Sequence, residues 1–143
     1  MSRPSIQDDL LGELERNPES GAWQAAWELA PGHSVEVVVY HEGELDAVPA
    51  RVKQFLLTLR EKDEDIRREF ARKLIELCNE DWNPDEQLTE EEFAGRIKLQ
   101  GVVVNSGDED AELFYDDDDI FAGHSVSAFM NFDGRISEPN LAG

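Results

Sequence analysis

One long stripe of apolar residues at helical spacing, between two blocks that alternate like β-strands, constrains the fold most. The stripe comprises Val48, Val52, Phe55, Leu56 and Leu59, and continues through Ile66, Phe70, Leu74 and Leu77. Intervals of three and four residues place these side chains on one face of a helix. The charged segment Arg60–Asp65 interrupts the stripe, so the pattern allows one helix or two helices that meet near Lys62–Asp63.

The helical region has recognisable boundary residues. We expect Asp46 to be its N-cap, with Pro49 in the first turn, where proline is tolerated. The Asn83-Pro84 pair should end the region, because proline disfavours helical backbone in the residue before it.

Three strands are predicted before the helical region. Residues 10–16 alternate, and Ser34–His41 is rich in β-branched residues. Ala22–Leu29 is ambiguous: Trp23 and Trp27 are four residues apart, as on a helix, yet both also fit an alternation with period two. The segment is short and is bounded by turn residues, which favours a strand.

The segment after residue 87 starts with the sharpest local signal in the chain. Thr89 followed by Glu92 forms a capping box, and Leu88 with Phe93 has the spacing of a hydrophobic staple. These residues predict a short helix over 90–96. Alternating apolar residues then predict three strands, near residues 97–103, 111–115 and 126–132.

The predicted order is β-β-β-α-α-β-β-β in one domain, residues 1–143. Runs of strands on either side of a run of helices indicate an α+β fold, with the helices packed on an antiparallel sheet rather than in a parallel βαβ arrangement. We expect residues 1–9 to be flexible.

Charge limits the classes of partner. The chain has 33 Asp and Glu against 13 Lys and Arg, a net charge of −20. Nucleic acids and anionic membrane surfaces attract basic residues, so neither is an expected partner. Residues 74–143 hold 18 of the acidic residues and only 3 of the basic ones, whereas 51–73 is mildly positive. A partner protein should therefore be basic and should approach the acidic C-terminal half.

The sequence also indicates a compartment. The first ten residues contain Pro4, Asp8 and Asp9 and no apolar run, and the longest aliphatic run, near Val37–Tyr40, is too short to span a bilayer. A single cysteine, Cys78, excludes an internal disulfide. We expect a cytoplasmic protein.

Three passages resemble a bacterial family, domain of unknown function 2262. They are Leu74–Trp82, Leu88–Phe93 together with Arg96–Leu99, and Ala111–Val126, with a matching end at Leu141–Gly143. The resemblance covers about 70 residues and implies a fold but no activity. Two positions depart from the family pattern: Asp118 stands where glycine is common, and Ala122 stands where tryptophan is usual.

The acidic run Asp116, Asp117, Asp118 and Asp119 is the first candidate site. Crowded carboxylates suit a hard cation such as Ca²⁺. Ile120, however, occupies the third ligand position of an EF-hand pattern, so that motif fails. We favour an acidic turn that keeps the sheet edge from aggregating, and keep a cation site as the alternative.

His124 is the candidate catalytic residue. Beside the carboxylates of Asp117 and Asp119 it could act as the general base of a hydrolase. The alternative, which we favour, is a histidine that ties the acidic loop to the start of the next strand. The adjacent Ser125 would point to the opposite face of that strand, so no nucleophile accompanies the histidine.

The remaining residues predict no cofactor. His33 and His41 lie at opposite ends of one strand, and Cys78 adjoins the apolar stripe without zinc-ligand spacing. Neither GxGxxG nor GxxxxGK[ST] is present.

We therefore expect a non-enzymatic interaction module, immunity-type or regulatory, that contacts a basic protein through Asp116–Asp119 and Trp82. A cation-binding domain and a hydrolase are the alternatives. The oligomeric state stays open.

Overall fold

The computed structural model describes residues 5–42 and 45–142, which form one mixed sheet with its helices on one face. The α+β prediction is confirmed. The strands are β1 Ser5–Asp8, β2 Gly12–Arg16, β3 Trp23–Ala30, β4 His33–Tyr40, β5 Lys98–Asn105, β6 Asp110–Asp116, β7 Ser125–Asn131 and β8 Asn140–Ala142. Helix α1 is Ala50–Leu77, a π-helical turn covers Cys78–Trp82, and helix α2 is Glu90–Arg96.

The described residues contain two strands more than the sequence predicted. Strand β1 has four residues, of which only Ile6 is buried, and β8 has three, so neither shows a recognisable alternation. They flank the sheet, pairing with β2 and β7 respectively. Of residues 1–9, for which flexibility is predicted, Ser5–Asp8 form β1, and residues 1–4 lie outside the described part.

The sheet is antiparallel, as predicted, except at one pair of strands. Residues 36–40 of β4 lie parallel to residues 101–105 of β5, while the other neighbouring strands pair antiparallel. The physical reason is the connection: β4 leads into α1, and a helical crossover brings the chain back in its original direction.

Helix α1 runs without a break through the charged segment, which resolves the question of one helix or two. Its start differs from the prediction: Pro49, and not Asp46, occupies the N-cap position. Because proline disfavours helical backbone in the residue before it, the helix cannot extend upstream of Pro49.

The core lies between α1, α2 and the inner face of the sheet. The strand prediction for Ala22–Leu29 is confirmed, since Trp23 and Trp27 of β3 are both buried beneath the helices. Most of the predicted apolar stripe is buried in helix α1, namely Val52, Phe55, Leu56, Leu59, Ile66, Phe70 and Leu74, and Ala71 is buried with them. Of the other two predicted members, Val48 is buried just before the helix and Leu77 is exposed.

Helix α2 begins as predicted. The Thr89 hydroxyl accepts a hydrogen bond from the Glu92 backbone amide at 3.1 Å, and the Glu92 carboxylate accepts one from the Thr89 amide at 3.0 Å.

Among the described residues, no helix is long and apolar enough to cross a membrane.

One polar contact joins the middle of α1 to the sheet. Tyr115, fully buried in β6, donates its hydroxyl to Asp63 at 2.7 Å. Arg67 donates to the second oxygen of Asp63 at 3.1 Å and to the Ala94 carbonyl of α2 at 2.8 Å. The charged segment that interrupts the stripe therefore contains one carboxylate, that of Asp63, which points towards the sheet. Through Tyr115 and Arg67 it connects both helices to the sheet.

Burial raises the pKa of Tyr115 well above its ordinary value of 10.0, and the negative charge of Asp63 adds to the effect. In the unfolded chain the same phenol ionises near that ordinary value. Below pH 10 the phenol is protonated in both states. Above it the unfolded chain gives up a proton that the folded protein retains, so this residue's contribution to stability is lost as the pH rises.

We expect Tyr115→Phe to lower the free energy of unfolding at pH 8 by about 1–3 kcal/mol, because Asp63 loses its phenolic donor. The deficit should narrow by about 1.4 kcal/mol per pH unit above pH 10, since only the wild-type protein carries the titrating phenol. Urea unfolding at pH 8 and pH 11 measures both effects. A deficit that stays the same at the two pH values would contradict this assignment.

Candidate functional site

The acidic run lies in the loop between β6 and β7, residues 116–124, which packs against the π-helical turn. Asp116 is the last residue of β6, and Asp118 and Asp119 lie in the turn that covers residues 118–123. The side chain of Asn83, just after the π-helical turn, donates to the Ile120 carbonyl at 2.6 Å. This contact fixes the loop to the end of the helical region.

Asp117 organises the loop from inside. It is buried, and its carboxylate accepts hydrogen bonds from the backbone amides of Asp119 at 3.1 Å, Phe121 at 2.8 Å and Gly123 at 3.1 Å. Its sequence neighbours are also aspartates, so composition alone does not single it out. The only local hint is the glycine six residues later, where the chain turns back to the carboxylate.

The loop holds several residues in the left-handed backbone region. Asp118 has φ 49°, Asp119 φ 60° and Ala122 φ 57°, followed by Gly123 at φ 88°. This region costs a residue with a side chain about 1–2 kcal/mol, which glycine avoids. Asp118 thus has a backbone conformation that glycine would adopt without this cost.

Asp118 is the second carboxylate with an internal partner. Arg96, the last residue of α2, donates from Nε to its carboxylate at 3.0 Å and from Nη2 to its carbonyl at 2.7 Å. Of the four aspartates, Asp117 and Asp118 thus make contacts that shape the loop. Only Asp117 is buried, and Asp116, Asp118 and Asp119 are exposed.

Trp82 forms the aromatic part of the site. The residue is 37% exposed, and its ring lies edge to face against Phe121 at 5.6 Å and His124 at 5.4 Å between ring centres. The π-helical turn positions Trp82. The backbone amide of Asn83 donates to the carbonyl of Cys78, five residues earlier, at 2.7 Å. Cys78 itself is buried, as predicted, and burial raises the pKa of its thiol.

His124 binds to its own loop. Its Nδ1 lies 2.7 Å from the Phe121 carbonyl oxygen, and since a carbonyl only accepts, Nδ1 is the donor. The contact matches the tying role that the sequence favours. The other two histidines lie elsewhere: His33 bonds the Leu99 carbonyl at 2.7 Å, and His41 bonds the Ser106 hydroxyl at 2.6 Å.

The structure does not bring the four aspartates together as a ligand set. Within residues 5–42 and 45–142, no group of three or more His, Cys, Asp or Glu side chains is placed to hold a metal ion. What the site offers is an exposed indole on a fixed, acidic surface. Residues 79–92 surround that indole in sequence with seven carboxylates and no lysine or arginine.

Comparison with known proteins identifies one family. A family model described as an uncharacterised protein conserved in bacteria (DUF2262) matches residues 8–141. No curated protein and no solved structure matches the chain.

The three amides around Asp117 yield a test of the loop. We expect Asp117→Asn to lower the free energy of unfolding by about 2–4 kcal/mol, because a neutral amide replaces a charged acceptor and buries an unpaired NH₂ group. The matched control is Asp119→Asn, an exposed position where asparagine tolerates left-handed backbone, with an expected change within about 0.5 kcal/mol. Urea unfolding of both variants makes the comparison. Equal losses would contradict an organising role for Asp117.

Proposed function

The chain belongs to the DUF2262 family, and on that premise we propose that it is a cytoplasmic binding module for a basic protein, in an immunity-type or regulatory role, rather than an enzyme. The observation that carries the proposal is the exposed side chain of Trp82 beside the acidic segments 79–92 and 116–119. Tryptophan is enriched among the residues that contribute most to protein–protein binding.

The geometry around Trp82 favours recognition. Phe121 and His124 pack against the indole. Hydrogen bonds from Asn83 and to Asp117 hold the loop to which these two residues belong. A side chain that is already fixed loses little conformational entropy on binding. The surrounding carboxylates would steer a positively charged partner towards it and would make the association rate depend on salt.

The contacts of the loop give less support to the two alternatives. A cation site would need several convergent carboxylates, but Asp117 is occupied by backbone amides and Asp118 by Arg96. A hydrolase would need His124 beside a nucleophile, and its Nδ1 instead binds the Phe121 carbonyl. Both roles therefore require the loop to give up contacts that shape it.

The test is capture of partners from a lysate of the source bacterium at low salt. We expect the immobilised protein to retain a basic protein, which elutes as the salt concentration rises. Trp82→Ala should weaken the binding of that protein by about tenfold or more. Leu57→Ala on α1 is the matched control, because Leu57 is 38% exposed and Trp82 37%. The affinities of both variants for the recovered protein would be measured by calorimetry.

Two results would contradict the proposal. One is a lysate from which the immobilised protein recovers no basic protein at low salt. The other is a recovered partner that binds Trp82→Ala and Leu57→Ala equally well, since the indole would then carry no part of the interaction.

A further inference from the structure

The second surface of interest is the open face of the sheet, which we define as the outward-pointing residues of β2 to β7. Both helices share one core cluster with the buried strand residues, so they lie on the opposite face. At the centre of the open face are Val38, Val103 and Phe114, all half-buried, and Phe129, which is 47% exposed. Apolar side chains gathered on an uncovered sheet face are typical of an interaction surface.

The open face contains a depression of about 330 Å³ with a mixed lining: Val38, Val103, Phe114 and Gly101 form its apolar part, and Glu36, Gln100 and Ser125 its polar part. Gly101 lies opposite Phe114 in the β5–β6 ladder. Neither backbone conformation nor crowding demands this glycine: its φ is not left-handed, and an added Cβ would meet only the Glu36 carbonyl, at an ordinary 3.6 Å. A glycine within a strand often marks a bulge, and here the register of β5 against β6 shifts between Leu99 and Gly101. The missing side chain also leaves room for another molecule to approach the backbone closely.

A second depression of about 530 Å³ lies beside the first and shares Glu36 and Gln100 with it. Glu13 and Glu15 of β2 also line it, and its lining residues include no lysine or arginine. Three carboxylates in one shallow depression suit an ammonium or guanidinium group. The open face thus places a recess with apolar side chains next to an acidic one.

We propose that the open face docks a basic protein which inserts an apolar side chain over Gly101 and, beside it, a lysine or arginine between Glu13, Glu15 and Glu36. The inference rests on the proposed function for its basic partner and assigns that partner a second surface, whose lining residues do not include Trp82. Charge favours this occupant over a second copy of the chain, since pairing would bring together two molecules that each carry a net charge of −20.

The probes are two capped pentapeptides, Gly-Lys-Phe-Lys-Gly and Gly-Lys-Ser-Lys-Gly, titrated into the full chain at low salt with detection by two-dimensional NMR. We expect the phenylalanine peptide to shift the amide signals of Val38, Gly101 and Val103. The serine peptide should bind about tenfold more weakly, because burial of an aromatic side chain supplies the difference.

Three variants locate the binding. Glu36→Lys should weaken the phenylalanine peptide about tenfold, whereas Glu61→Lys, an exposed α1 position with the same change in net charge, should alter its affinity less than about twofold. Gly101→Val should abolish the preference for phenylalanine by filling the recess. Glu36→Lys keeps the test decisive if Gly101→Val does not fold.

Each other outcome overturns the inference. Shifts confined to residues 79–92 and 116–124 would leave the proposed function standing and place the basic partner at Trp82 alone. Equal affinities of the two peptides, equal effects of the two lysine variants, or no binding of either peptide would remove the open face as the docking surface. So would a dimer in analytical ultracentrifugation that Gly101→Val dissociates, because a second copy would then occupy the face.

Discussion

Burial of one long helix on one face of the sheet is the constraint on which the rest of the structure depends. Because α1 must cover the inner side chains of both strand blocks, the chain crosses the sheet once and returns beside β4 rather than beside β1. That crossing creates the parallel pair within an otherwise antiparallel sheet. It also leaves the outer face without a helix, and this is where the two depressions lie.

The features that the sequence predicted correctly depend on neighbours in the chain. The capping box at Thr89 and Glu92 needs only four consecutive residues, and the strand at Trp23–Ala30 follows from its own alternation. The parallel pairing of β4 with β5 depends instead on how the helix crosses the sheet, which no local pattern records. The sequence predicts a helix start at Asp46 because proline is tolerated in a first helical turn. Pro49 also disfavours helical backbone in the residue before it, so the helix begins only at Ala50.

The candidate site divides in the same way. The acidic run and Trp82 were visible as residue types, and Cys78 as a buried apolar position. The roles of the individual carboxylates could not be predicted from the sequence, because Asp117 and Asp118 differ only in their hydrogen-bond partners. Asp117 accepts from backbone amides, and Asp118 accepts from Arg96. The inward position of Asp63 was hidden for the same reason, because its partner Tyr115 is 52 residues away.

The parallel seam between β4 and β5 has a consequence for the folding of the chain. Every other ladder of the sheet joins strands that are consecutive and closely linked, so each can close a short loop. The seam joins residues about 65 positions apart, as the contact of His41 with Ser106 illustrates. Closing a flexible loop of that length carries the largest entropy loss of any ladder here, and a preformed α1, about 42 Å long, reduces it by shortening the free chain. The helix is therefore both the cover of the core and the strut that lets the two halves of the sheet meet.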